Sequence, residues 1–215
     1  MKTDELISQL AQNPKPVRKW PSFAKVLSSF TGMGLFIMLL LFAVEGWRPD
    51  LADKFLEMPF RFSFILSFVL MIASLTLIAR MATPGAIIVR SVRGSWLLLL
   101  GVLAVACVVA AVRGGKEELS DGLAMAGQSC STMTIVSAAL FAAFLLACLR
   151  YAAAPVHLLR ISLAIAVASF ACGFVIISLH CGFDNGMHVL VWHLLVPLIL
   201  TVSIVGFLGR KILRW

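Results

Sequence analysis

Six stretches of this chain contain no Asp, Glu, Lys or Arg: residues 26–44, 62–79, 95–112, 129–149, 161–179 and 189–209, each 18 to 21 residues long. A helix rising about 1.5 Å per residue needs roughly 20 residues to cross the hydrocarbon core of a bilayer. Unpaired backbone amides are too costly in lipid, so a crossing segment must be a helix or a strand of a closed barrel. Windows this long, without alternation of polar and apolar residues, exclude barrel strands. The composition agrees: 61% of the 215 residues are hydrophobic and 13% charged, with a mean hydropathy of +1.01, beyond the range of soluble domains. The expected fold is all-α, a polytopic membrane bundle of six transmembrane helices. The first window follows a tail of about 25 residues and precedes Val44-Glu45 instead of a small-residue cleavage site. It is expected to remain as an anchor.

Charge distribution sets the expected orientation. The N-terminal tail, the second and fourth loops and the C-terminal tail together carry 13 Lys/Arg against two acids, Asp4 and Glu5. The remaining loops carry five basic and eight acidic residues. Both termini are therefore expected in the cytoplasm, and the net charge of +8 reads as this topogenic excess, with no direct nucleic-acid partner implied. The chain divides into a cytoplasmic tail (1–25), a six-helix domain embedded in the lipid bilayer (26–209) and a short C-terminal tail (210–215). No segment between the helices is long enough for a soluble catalytic domain, so an enzyme is not expected.

Within the helices, Thr31-Gly-Met-Gly34 and the series Ala164, Ala168, Ser169, Gly173 have the small-residue spacing that lets helices approach closely. Pro197 is expected to kink the last helix, because its missing N–H leaves a carbonyl one turn earlier unpaired. Among Asp, Glu, Lys, Arg and His, only His193 falls inside a window, which weighs against an ion or proton path. With no partner evident at its depth, it is expected to be hydrogen-bonded across helices.

Three of the four histidines and one cysteine crowd into Ile177-Ser-Leu-His-Cys-Gly-Phe-Asp-Asn-Gly-Met-His-Val-Leu-Val-Trp-His193. By the charge argument His180, Cys181, Asp184 and His188 lie outside, where thiols tend to be oxidised, and Cys130 lies at the same depth. Cys107 and Cys172 fall mid-membrane and Cys148 near the cytoplasmic edge. Three readings stay open for Cys130 and Cys181: a structural disulfide; a metal or redox sensor using these cysteines with His180 and His188 as soft ligands; or small packing residues beside interfacial histidines. The spacing matches no standard zinc pattern. No resident cofactor is expected, beyond a transient heavy-metal ligand.

At the other end, Met1-Lys-Thr-Asp-Glu-Leu-Ile-Ser-Gln-Leu-Ala11 reads as a short helix, with Thr3 as cap, Asp4 and Glu5 at the positive end of its dipole, and Leu6, Ile7 and Leu10 on one face. Pro14-Lys-Pro16 stops it. A helix this short needs a partner for its apolar stripe, either a protein or the membrane surface beside Lys15, Arg18 and Lys19.

The opening Met-Lys-Thr-Asp-Glu-Leu-Ile, Pro16-Val17-Arg18-Lys19, Trp47-Arg-Pro-Asp-Leu-Ala52, Ala82-Thr-Pro-Gly85, the His180-Cys181 pair and Trp192, in that order along six helices, resemble the NrsF-like family of bacterial membrane anti-sigma factors. The resemblance spans nearly the whole chain. It implies an inner-membrane negative regulator that holds an extracytoplasmic-function sigma factor at its cytoplasmic face and releases it on a periplasmic metal or oxidative stress. It implies sensing at two outer cysteines, which correspond to Cys130 and Cys181. The partner-binding segment is expected to use Leu6, Ile7, Leu10 and Val17 with Arg18 and Lys19. After Cys181 the chain departs from the family's usual run, with Gly182-Phe-Asp-Asn-Gly186. A membrane oxidoreductase working through thiols or haem is the rival expectation.

Overall fold

The structure is a computed structural model that describes residues 21–82, 90–113, 127–152, 155 and 157–214, together with Thr3, Glu5, Ile7 and Ser8. Six long helices follow one another: α1 (Phe23–Glu45), α2 (Met58–Ala82), α3 (Arg90–Arg113), α4 (Gly127–Ala152), α5 (Leu158–His180) and α6 (Gly186–Ile212). The described residues contain no strand. Among the described residues, α1, α2, α4, α5 and α6 are long and apolar enough to cross a membrane. The described apolar part of α3 is Leu100–Val109, within the expected third window.

Helix α5 forms the axis. In its apolar window 89% of residues are buried, against 28% in α1, so α5 is the core element and α1 lies at the periphery. Helices α2, α4 and α6 pack directly on α5, α3 lies against α2 and the start of α6, and α1 lies across α2 and α4. Within lipid the hydrophobic effect does not drive helices together, so close packing must. The small-residue series of α5 supplies it: Ala164, Ala168, Ser169 and Gly173 are all buried. A Cβ on Gly173 would lie 2.5 Å from the backbone oxygen of Thr134 on α4, closer than atoms in contact can stand. Of the two glycines in α1, Gly34 faces Phe141 and the Cys172 sulfur, whereas Gly32 has nothing within 4 Å. Only one half of that motif is therefore used in packing.

The last helix changes its winding. Residues Val189–Leu195 form a π-helix, and Val196–Ile212 continue as an α-helix with Pro197 in the first turn. Pro197 has no N–H to give to the carbonyl of His193 four residues earlier. A widened turn lies at the point where a kink was expected, which is how a break in the hydrogen-bond ladder is often absorbed.

Chain direction places the ends of the bundle. The end of α1 meets the end of α5, where the Arg48 N–H donates to the Leu179 carbonyl at 3.2 Å. The start of α1 lies against the far half of α4, with Phe30 edge-on to Phe144 at 6.1 Å. At that same far end Arg150 donates to the Ile212 carbonyl, and Gly209 packs against Ser162 at the start of α5. The segments leading to both termini therefore leave the bundle from the end opposite His180 and Cys181. Of the expected partner-binding residues, Ile7 is exposed and helical, while Leu6, Leu10, Val17, Arg18 and Lys19 lie outside the described residues.

The Gly173 contact predicts a contrast between two glycines. Gly173→Ala should push α4 from α5 and destabilise the bundle by about 1–3 kcal/mol, whereas Gly32→Ala should stay within about 0.5 kcal/mol. Denaturation midpoints in mixed micelles measure both, and equal midpoints for the two variants would contradict the packing described.

Candidate functional site: a buried cysteine–histidine cluster

At the loop end of α5, four side chains from three elements meet. Cys130 comes from the first turn of α4, Cys181 from the residue that ends α5, and His188 and His193 from the start of α6. Their ligand-type atoms all lie within 4.8 Å of one another, and all four residues are buried. The Cys130 and Cys181 sulfurs are 3.3 Å apart and both thiols are free. The Cys181 sulfur is 3.8 Å from Nε2 of His188. The imidazoles of His188 and His193 meet edge to face with centroids 5.0 Å apart, and Nε2 of His193 is buried with no hydrogen-bond partner.

The winding of α6 makes this juxtaposition possible. In an α-helix, residues five apart point about 140° away from each other. The π-helix bonds residue i to i+5, so residues five apart sit nearly one above the other. Asn185 caps the helix just before it, its side-chain oxygen accepting from the N–H groups of Met187 and His188 at 2.9 and 3.3 Å. Trp192 sets the lateral register. Its indole occupies the place that a side chain on Gly127 would take, and its carbonyl accepts from the Ser131 hydroxyl at 2.6 Å. These contacts bring the first turn of α4, and so Cys130, against His193.

A second set of residues covers the cluster from outside. Arg48 spreads its guanidinium across two carboxylates: Nε and Nη2 donate to Asp50 at 2.8 and 2.9 Å, and Nη1 and Nη2 donate to Asp184 at 2.9 and 2.7 Å. Lys54 joins Asp184 at 2.8 Å and Glu57 at 2.7 Å. The Arg48 side chain is 1% exposed and also stands over the Phe60 ring. This network ties the loop after α1 to the loop that carries Cys181. Hydrogen bonds to Arg48 hold the Asp50 carboxyl down to about 2. Burial pushes the Asp184 carboxyl up, but hydrogen bonds to Arg48 and Lys54 outweigh it and leave it below the usual carboxylate range. A cavity of about 160 Å³ is lined by residues of both sets, Arg48 and Asp184 together with Cys181 and His193, and by Phe60 and Phe183.

The structure thus brings Cys130, Cys181 and His188 together and places His180 elsewhere. Nδ1 of His180 lies 2.9 Å from the Gly46 carbonyl oxygen, which makes it a clasp between α5 and α1. His193, expected to hydrogen-bond across helices, brings a ring nitrogen into the cluster beside Cys130 of α4, while its Nε2 is buried without a hydrogen-bond partner. On a regular helix a five-residue separation from His188 excludes a shared face, so helical periodicity does not group the two. Pro197, four residues after it, is the signal that the winding changes there.

A family model described as NrsF, negative regulator of sigma F, matches residues 10–215. No curated protein and no solved structure matches the chain.

The charge network predicts an acid-labile clasp. A carboxylate with a depressed folded-state pKa contributes stability above its ordinary value of about 3.9 and loses that contribution as pH falls through the depressed one. Wild-type melting temperature should therefore fall between about pH 4 and pH 2. Asp184→Asn should lower stability near neutrality by about 1–2 kcal/mol, less than a fully buried pair because Asp184 is 35% exposed. It should also flatten the acid slope; an unchanged slope in the variant would show that the network does not couple to folding.

Proposed function

The chain belongs to the NrsF family of negative regulators of sigma F, and from this we propose that it is an inner-membrane anti-sigma factor that holds an extracytoplasmic-function sigma factor at its cytoplasmic face. On this reading all six long helices span the membrane, α3 included, with both termini in the cytoplasm and the cysteine–histidine cluster on the periplasmic side. The observation that carries the reading is spatial. The reactive side chains converge at one end of the bundle, and the segments bearing the termini leave from the other. A family of sigma-factor regulators is not one of enzymes, and the division suits a receptor: input at one face, a held partner at the other.

The N-terminal tail is the proposed grip. Leu6, Ile7, Leu10 and Val17 would supply apolar anchors, and Arg18 and Lys19 charge complementarity to an acidic rim. Ile7 is 58% exposed, as an anchor awaiting a partner must be. The signal is a periplasmic metal or oxidant acting at Cys130 and Cys181. Moving a two-state bundle from 1:99 to 99:1 requires about 5.5 kcal/mol of preference for the releasing state. Closure of a disulfide or coordination of a metal by thiolates supplies energy of that order. The 3.3 Å approach of the two sulfurs also suits a thiol oxidoreductase, the second reading, which thiol-linked quinone reduction by purified protein would favour.

Co-purification with the sigma factor encoded beside it tests the proposal. Deletion of residues 2–20 should reduce capture to background, and Leu10→Ala should weaken it about tenfold or more, as loss of a buried leucine implies. The double variant Cys130→Ser/Cys181→Ser should capture the sigma factor normally yet fail to release it on induction. Capture that survives the deletion would remove the tail from the interface, and normal induction in the double variant would remove the cysteines from sensing.

A further inference from the structure

The cluster contains more ligands than a thiol switch requires. A disulfide uses two sulfurs about 2.04 Å apart and leaves both imidazoles without a task. Yet two buried histidines converge on the sulfurs, and the π-helix that aligns them departs from regular winding at a site where an α-helix would point them apart. The unpartnered Nε2 of His193, buried at 3% exposure, is costly unless something occupies it.

We infer that Cys130, Cys181, His188 and His193 form a four-ligand tetrahedral site for a single d10 dication of the zinc–cadmium type, with Nε2 of His193 as the fourth ligand. Dimensions support this. With metal–sulfur bonds of about 2.3 Å and metal–nitrogen bonds of about 2.0–2.1 Å, tetrahedral angles set a sulfur–sulfur edge of about 3.8 Å, a sulfur–nitrogen edge of about 3.6 Å and a nitrogen–nitrogen edge of about 3.3 Å. The sulfur–sulfur distance is 3.3 Å, the Cys181 sulfur to His188 Nε2 distance is 3.8 Å, and all four ligand atoms lie within 4.8 Å. Seating an ion parts the two sulfurs by about 0.5 Å and draws the His188 nitrogen in by a few tenths of an ångström.

Charge and ligand type then narrow the ion. Two thiolates and two neutral imidazoles carry a charge of −2, which neutralises a dication in a buried site and leaves a monovalent ion overcompensated. Sulfur and imidazole nitrogen exclude calcium and magnesium, which take oxygen. Binding replaces two thiol protons: the dication, two Cys–SH and two imidazoles give the neutral complex and two free protons, with no change of oxidation state. The cavity that Cys181 and His193 help to line supplies the access route. The same lining holds Arg48, Asp184 and Glu57, charges already paired with one another or with Lys54. The inference deepens the reading of the cluster as the point of signal input, and the coordination itself needs no sigma factor.

The test uses the full chain, reduced, stripped of metal and held in detergent micelles, then given one equivalent of zinc. X-ray absorption at the zinc edge should show two sulfur and two nitrogen neighbours, and a weakly buffered titration should release about two protons per ion. Outer-shell scattering from fewer than two imidazoles, or a shell of sulfur alone, would overturn the assignment without recourse to any variant. In competition against a chromogenic chelator, His193→Gln should lose more than the about 10–100-fold that a merely supporting residue costs. His180→Gln should bind as the wild type does. Equal affinity of the His193 variant and the wild type would remove the fourth ligand. Sigma-factor capture is scored on the same samples: failure to capture with the two-sulfur, two-nitrogen shell intact contradicts the anti-sigma reading alone, and capture with the wrong shell contradicts this inference alone.

Discussion

Close approach of α4 to α5 at Gly173, where the Thr134 carbonyl occupies the space of a missing side chain, fixes the frame on which the rest is built. Because lipid is as apolar as the helix surfaces, such contacts and not water exclusion decide which faces meet. With α4 seated on α5, Cys130 in the first turn of α4 comes level with Cys181 at the end of α5. The encasement of α5 makes it a fixed reference, so a change at its loop end is resisted by packing along its whole length. Signals at such a site shift rigid elements against one another instead of dissipating locally.

Two further features complete the reactive end, and each solves a different problem. The π-helix in α6 solves an angular one, turning His193 to the side already occupied by His188. The Arg48 network solves an electrostatic one. Three outer acids, Asp50, Asp184 and Glu57, would repel one another without Arg48 and Lys54 between them, and their pairing draws the loop after α1 over the cavity. Strength here is moderated by solvent, since Asp50 and Asp184 remain 41% and 35% exposed. On the metal-site inference, a cover that is held but not locked lets an ion in.

Much of this was legible in the sequence, and for a physical reason: the bilayer requirement is one-dimensional. Length and absence of charge locate the windows at 62–79, 129–149, 161–179 and 189–209, and the helices α2, α4, α5 and α6 enclose them. The equal depth of Cys130 and Cys181 follows once those helices are placed. What depth does not determine is azimuth. His180 and Cys181 are adjacent in sequence, yet one faces Gly46 and the other the cluster. His193 shares its face with His188 only because of a winding that no periodicity announces. The pairing of Arg48 with Asp184, 136 residues apart, likewise depends on how α1 lies against α5. Family resemblance supplied the sigma-factor partner, which no side chain in the bundle encodes.

The account rests on the two ends of the bundle lying on opposite sides of a membrane. Single cysteines placed at Phe183, which is 57% exposed beside the cluster, and at Ser8 in the N-terminal tail report the sides directly. In spheroplasts treated with a membrane-impermeant maleimide, Phe183→Cys should be labelled at once and Ser8→Cys only after the membrane is permeabilised. Labelling of Ser8→Cys in sealed spheroplasts, with Phe183→Cys protected until permeabilisation, would place the reactive end in the cytoplasm and contradict the account.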